Sequence, residues 1–198
     1  MIRKIKNKIL KYLFSHFEQF EQNKKVALIA KFKHVGENFQ IGKDFSVHNP
    51  KYMEFGANFS ALQRFRIEAW DYFQGQKFTP RIKIGNNVFF NTDIHIGCIN
   101  NIEIGDNCLF ASRIYITDHH HGDTSEGMIQ IIPSQRPLVS KGAVVIEKNV
   151  WVGEGVVIMP GVTIGENSII GANAVVTKSV PKNTVFAGIP AKLIKQLV

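Results

Sequence analysis

The run IEKNVW VGEGVV IMPGVT IGENSI IGANAV VTKSVP, residues 146–181, decides the architecture. Ile146, Val152, Ile158, Ile164, Ile170 and Val176 stand six apart without a gap. Four positions after each comes a small or branched residue: Val150, Val156, Val162, Ser168, Ala174 and Val180. A helix asks for apolar spacings of three and four, and a simple strand for two. A period of six fits neither. It fits a chain that turns a corner every six residues, so that three short flats close a triangular coil of about eighteen residues. Such coils stack at the ordinary ~4.8 Å strand spacing. The residue opening each hexad points inward, the residue four places on fills the corner, and Gly, Asn and Asp allow the tight turns.

Outward from this run the period weakens. Val35, Ile41, Val47 and Met53 are six apart, as are Ile84, Phe90, Ile96 and Ile102. Ile104, Phe110 and Ile116 continue two residues out of phase, which implies a coil with a two-residue insertion between Gly85 and Gly105. Residues 60–81 break the pattern and read as a loop or widened turn. Residues 119–145 break it for longer, and an excursion that stacking does not need usually carries function.

Composition narrows the class. A chain of 198 residues, 44% hydrophobic and 20% charged, is one ordered domain with a full core. No apolar run is long enough to span a bilayer, and no signal-peptide pattern stands at the start. Cys98 and Cys108 have no metal or redox spacing, and so few cysteines suit a reducing compartment. A cytoplasmic location is expected, with the inner face of the cell membrane as a variant of it. The net charge of +8 could face nucleic acid, anionic lipid, an acidic polymer or a phosphorylated ligand. Its lysines do not interleave with aromatics as an RNA-binding sheet requires, so nucleic acid is not expected.

The motifs IGNNVFFN, IGDN, ITDHHHG, NVWVG, PGVTIGENSIIGANAVVTK and AGIPAK follow one another in this order. This set resembles the hexapeptide-repeat acyltransferases, in the branch of galactoside, maltose and surface-polysaccharide O-acetyltransferases. The resemblance implies an all-β fold, a left-handed parallel β-helix over 34–186, with loops at 60–81 and 119–145. Residues 1–33 would form a helical cap and 187–198 a C-terminal tail. It implies acetyl-CoA as donor, a sugar hydroxyl as acceptor, no metal, and a homotrimer with active sites between subunits.

The chemistry needs a base, an oxyanion donor and a cradle for the carrier. Matching ITDH makes His119 the general base, since imidazole titrates near working pH. His121, which shares its side of an extended chain, is the alternative base or an acceptor contact, and a structural or metal role for the trio stays open. Asn91 matches an acceptor-binding asparagine but would serve equally as a left-handed corner; Asp93 is a weaker acceptor candidate, and His95 is expected to be exposed. Trp151 matches the pantetheine channel, with interface packing as its other use. The backbone N–H of Glu154 matches the donor to the thioester oxygen. Ala172, Thr177, Lys178 and Lys192 match carrier-binding positions, where lysine charge suits phosphates.

Residues 2–20 place Ile2, Ile5, Ile9, Leu13, Phe17 and Phe20 at helical spacing, with Arg3, Lys4, Lys6, Lys8 and Lys11 mostly elsewhere. This amphipathic helix either caps the first coil or touches anionic membrane. The fifteen phenylalanines, many outside the hexads, suit a subunit interface. An N-acetyltransferase on an amino sugar and a non-catalytic β-helix scaffold are the rival readings.

Overall fold

The computed structural model describes residues 2–197; Met1 and Val198 lie outside the described residues. The side chains of Ile2, Arg3, Lys4 and Ile5, on which part of the helix expectation rests, lie outside them as well. Three parallel sheets form the walls of a triangular prism. Face A runs through Met53–Phe55, Arg81–Ile84, Asn101–Ile104 and Val144–Ile146. Face B runs through Ser60–Ala61, Phe89–Phe90, Leu109–Phe110 and Trp151–Val152. Face C runs through Phe65–Ala69, Ile94–Cys98, Tyr115–Thr117 and Val157–Ile158.

The hexads point where their spacing requires. Ile146, Val152, Ile158, Ile164, Ile170 and Val176 are buried, as are Val150, Val156, Val162, Ser168, Ala174 and Val180 at the corners. Ile146 pairs with Ile164, a coil of eighteen residues, while Ile84 pairs with Ile104 and Val35 with Phe55, coils of twenty. In the first coil a 3-10 turn at Pro50–Tyr52 takes up the extra length, so Phe55 rather than Met53 stands over Val35.

Asparagine builds the corner between faces A and B. Asn38, Asn58, Asn87, Asn107, Asn149, Asn167 and Asn183 all have φ between 55° and 60°. Each side-chain amide donates to the next along the axis at 2.8–3.1 Å. Asn tolerates this left-handed backbone better than other L residues, and the ladder satisfies the amides. Glycine serves where coils approach closest: a Cβ on Gly165 would stand 2.4 Å from the Lys182 nitrogen.

The phenylalanines are used differently from expectation. Phe55, Phe59, Phe65, Phe90 and Phe110 fill the prism's own interior, with Phe90 stacked on Phe110 at 4.3 Å between ring centroids. The early coils carry rings inside where the later ones carry Ile and Val. These phenylalanines therefore face no neighbouring subunit.

The irregular segments are also narrower than the sequence suggests. Residues 60–69 belong to the coil, and only 70–80 leaves it, as a hairpin pairing Tyr72–Phe73 with Gln76–Lys77. The C-terminal segment is not a loose tail: Lys192–Gln196 pairs antiparallel with Thr184–Ala187 and ends face B. The N-terminal helix α1 spans Ile2–Ile29, longer than the periodicity indicated. Only its end works as a cap, through Leu28 against the core, Lys24 over the Phe45 ring and Phe32 buried just beyond. Residues 6–20 are exposed throughout. Among the described residues no helix is long and apolar enough to cross a membrane.

Candidate active site

Both excursions leave the prism at the corner between faces C and A. The longer one begins with His119–His121, which pairs antiparallel with Leu138–Ser140. The hairpin of 70–80 meets it: Leu138 N donates to Gln76 Oε1 at 2.8 Å, and Gln74 Nε2 donates to the Ser134 carbonyl at 2.7 Å. Between these walls and face C lies a pocket of about 160 Å³. His119, His121, Trp70, Phe73 and Tyr115 line it, together with the outward side of face C. His120, between the two pocket histidines, does not, as alternation along an extended strand requires.

His119 is held in one orientation. Its Nδ1 lies 2.9 Å from Asp118 Oδ1 and 3.3 Å from Thr117 Oγ1. Asp118 is fully buried and accepts from the N–H groups of Ile99 at 2.9 Å and Asn100 at 2.8 Å, and from Cys98 Sγ at 3.2 Å. Burial alone would raise its pKa. The hydrogen bonds from His119, Ile99, Asn100 and Cys98 outweigh that and hold the carboxyl below its ordinary range. The same burial and the adjacent carboxylate push the Cys98 thiol far up, so it stays protonated and donating. An ionised Asp118 therefore fixes the proton on Nδ1 and leaves Nε2 of His119 as the acceptor nitrogen.

This dyad escaped sequence reasoning, although its signal was present: an aspartate stands immediately before the histidine in ITDH. The neighbouring Glu68–His95 pair escaped as well. His95 is half-buried rather than exposed, with Nε2 3.1 Å from Glu68 Oε2. Glu68 and His95 are 27 residues apart, and the two face each other only once the coil lengths are known.

The remaining candidates lie elsewhere. Asn91 does not have left-handed backbone; its Oδ1 accepts from the Thr92 N–H at 2.9 Å, and the corner role falls to Asp93 at φ 62°. Asp93 is bound to Arg64 one coil earlier, and neither Asn91 nor Asp93 lines the His119 pocket of the same chain. Trp151 is exposed on face B, and Lys192 lies on its last strand. Glu154 sits at the B–C corner with its carboxylate 2.6 Å from Arg113. The coil-to-coil ladder there uses the N–H groups of Gly153 and Gly155, not that of Glu154. Ala172 is exposed at the same corner one coil on, and Thr177 and Lys178 are exposed at the C–A corner. Within one chain, then, the base opens beside face C while the expected carrier residues spread over face B and the last coils. Among the described residues no cluster of side chains could hold a metal ion.

Known proteins are similar to this chain in sequence and fold. Residues 143–178 fit the model of the bacterial transferase hexapeptide (six repeats). A protein of Escherichia coli K12 named "Putative lipopolysaccharide biosynthesis O-acetyl transferase WbbJ" is 41% identical over 154 residues, covering 76% of this chain and 74% of that one. The galactoside O-acetyltransferase of the same organism is 33% identical over 200 residues, covering 98% and 79%. A solved galactoside acetyltransferase in complex with coenzyme A superposes with a TM-score of 0.56 at 26% identity, over 89% of this chain and 71% of that chain. AntD, an N-acyltransferase from Bacillus cereus, superposes with a TM-score of 0.68 at 24% identity, over 89% and 87%, a likeness of fold alone. The chain belongs to the hexapeptide-repeat acetyltransferases. Its prism is their left-handed parallel β-helix, an exception to the right-handed crossover rule.

Proposed function

We propose that the chain transfers an acetyl group from acetyl-CoA to a sugar hydroxyl, on a bacterial surface polysaccharide or its precursor in the cytoplasm. The observation that carries this reading is the buried Asp118 carboxylate holding His119 Nδ1, with the ring opening on an aromatic-walled pocket. His119 Nε2 takes the proton of the attacking hydroxyl, and Asp118 stabilises the imidazolium that results. The donor supplies a thioester carbonyl, and direct attack on it needs no covalent enzyme intermediate. His119 then returns its proton to the departing thiol. The Glu154 N–H stabilises negative charge on the carbonyl oxygen. Trp151 and Ala172 offer a flat ring and a small side chain to the pantetheine arm. Thr177, Lys178 and Lys192 fit its phosphate end, where exposed ammonium groups suit anionic oxygens. His121 contacts the acceptor within its own chain, and Asn91 and Asp93 belong to the part of the site that the neighbouring subunit supplies.

The separation of base and carrier residues supports a homotrimer in which each active site combines the His119 corner of one subunit with face B of the next. Thiol release in the presence of acetyl-CoA and a panel of glycosides tests the activity, with sedimentation velocity reading the assembly. Release with an acceptor hydroxyl supports the reading. Release only with amino sugars turns it to N-acetylation, and none at all removes it.

Helix α1 supports peripheral contact with anionic membrane. Its residues Ile9, Leu10, Leu13, Phe14, Phe17 and Phe20 are all exposed. The chain before Glu18 carries Arg3, Lys4, Lys6, Lys8 and Lys11 and no acidic residue. An apolar face flanked by lysines fits a headgroup layer, whereas bundling three such helices would bring like charges together.

A further inference from the structure

Beside the base, the pocket contains a charged group that neither the proton transfer nor the donor uses. Arg66, His95 and Tyr115 are register partners projecting from face C, and Glu68, Gly97 and Thr117 form the next row. Glu68 is only 8% exposed although it stands on the outer side of the prism. Its carboxylate is gripped from two sides, by Arg66 at 2.9 Å and by His95 Nε2 at 3.1 Å. Burying a carboxylate is costly, and coil stacking makes no use of this one.

Gly97 makes the arrangement a site. A Cβ there would stand 3.4 Å from His119 Cε1 and 3.9 Å from His95 Nε2. The two imidazoles thus approach one point, and with no side chain at Gly97 that point is open floor. Burial, with the Arg66 charge beside it, lowers the pKa of His95 against the pull of Glu68, so the ring is neutral near pH 7 and its Nε2 proton goes to Glu68. One positive Arg66 then balances one negative Glu68, and the local charge is close to zero.

We propose that Glu68 is an acceptor-positioning residue: its carboxylate, fixed by Arg66 and His95, accepts a hydrogen bond from the hydroxyl next to the one that His119 deprotonates. The acceptor class that follows is an uncharged sugar ring presenting two adjacent hydroxyls, with an apolar face against Trp70 and Phe73. Because the pocket's own charge is close to zero, the basic surface of the protein is not what selects the acceptor. The pocket is smaller than the ~300–1,000 Å³ of drug-sized sites, consistent with one monosaccharide unit. This inference rests on the sugar O-acetyltransferase reading.

The test uses the full-length protein, acetyl-CoA, the methyl glycosides of galactose and glucose, and their monodeoxy analogues. With the glycoside that wild type acetylates, Glu68→Ala is expected to lower kcat/KM about 10- to 100-fold, mainly through KM. Glu68→Gln is expected to recover part of the loss. The key readout is coupling: removing the hydroxyl adjacent to the acetylated one should cost wild type a similar factor and cost Glu68→Ala little more. Calorimetric titration with acetyl-CoA and a thermal melt, both close to wild type, would exclude misfolding as the cause. Equal penalties for the deoxy analogue in wild type and variant, or an unchanged KM in Glu68→Ala, would overturn the assignment while leaving the transferase standing. If wild type releases no thiol with any of these glycosides, the acceptor class is wrong. If it also fails to bind acetyl-CoA, the transferase reading falls too.

Discussion

Two corners of the same prism behave in opposite ways. Between faces A and B an asparagine with φ near +58° returns on every coil from Asn38 to Asn183, and each amide donates to the next. Between faces C and A the chain does something different on nearly every coil: a 3-10 turn at Pro50–Tyr52, a hairpin over 70–80, a tight link at 99–100, and the excursion that starts at His119. The first corner is a repeated solution to one backbone problem. The second carries the candidate base, its buried carboxylate and both pocket walls. Each coil already obtains its hydrogen bonds from the coils above and below, so one corner can vary while the other two keep the stack in register.

The sharpest way to break this contrast is at the base. His119→Ala should lower turnover by about 10²- to 10⁴-fold, the usual size of general-base catalysis, with the melting temperature nearly unchanged. The C–A corner would then be shown to hold chemistry that the fold does not need. Thiol-release kinetics beside a thermal melt measures both. Turnover within a few-fold of wild type would remove His119 from the mechanism.

Asp118→Asn comes next, and it touches both sides of the comparison. Ile99 and Asn100 donate to different oxygens of Asp118, so asparagine can accept from only one of them, sets its NH2 against the other donor and no longer stabilises an imidazolium; turnover should fall by tens- to a thousandfold. Stability should fall with it, by about 1–3 kcal/mol for an impaired buried acceptor. The pH dependence has a definite sign. The folded-state pKa of Asp118 is depressed, so its contribution to stability is present above the unfolded value of about 3.9 and is lost as pH falls through the folded value. Acid unfolding of wild type should therefore be steeper than that of the variant. Superimposable acid transitions would mean that Asp118 is not the ionised anchor described here.

How much of this could be read from the sequence follows the same division. The hexads from Ile146 to Val180 were legible because a strict period has one packing solution, and every one of those side chains is buried. Residues 60–69 were not recognised as coil, because in SALQRF the inward positions are Ala61 and Phe65, and the longer coil length shifts the phase. His119 was legible through its motif. Asp118 was overlooked, since burial and the N–H groups of Ile99 and Asn100 make it an anchor and neither is visible in a string of letters. Glu68 and His95 required the pairing of Ile67 with Ile96, across a segment that includes the hairpin excursion. The letters offer the left-handed corner to Asn91, and only the backbone angles show that it falls on Asp93.

Helix α1 extends the comparison to a segment that the prism barely touches. Leu10→Ser/Phe14→Ser/Phe17→Ser removes three exposed apolar side chains without disturbing Leu28 or Phe32. Pelleting with phosphatidylglycerol vesicles should drop at least about tenfold, and wild-type binding should weaken as salt rises. Wild type that ignores anionic vesicles would refute membrane contact. A trimer that dissociates in the variant would assign the face to subunit assembly.

The smallest expected effect lies in the asparagine corner, and it separates two reasons for its composition. Asn149 has φ 60°, receives the amide of Asn107 and donates to Asn167. Asn149→Ala loses both hydrogen bonds and places a Cβ residue with no local polar compensation in left-handed backbone. Asn149→Gly loses the same bonds but tolerates the angle. If backbone geometry dominates, alanine should cost about 1–2 kcal/mol and glycine a few tenths, read as a melting-temperature difference of about 2–6 °C. If the amide ladder dominates, the two variants should melt together, because an exposed hydrogen bond of this kind is worth only about 0.5–1.5 kcal/mol in either case. Turnover should stay at the wild-type level in both, since this corner holds none of the residues that meet substrate. A loss of activity at Asn149 without a loss of stability would show that the regular corner, too, communicates with the site.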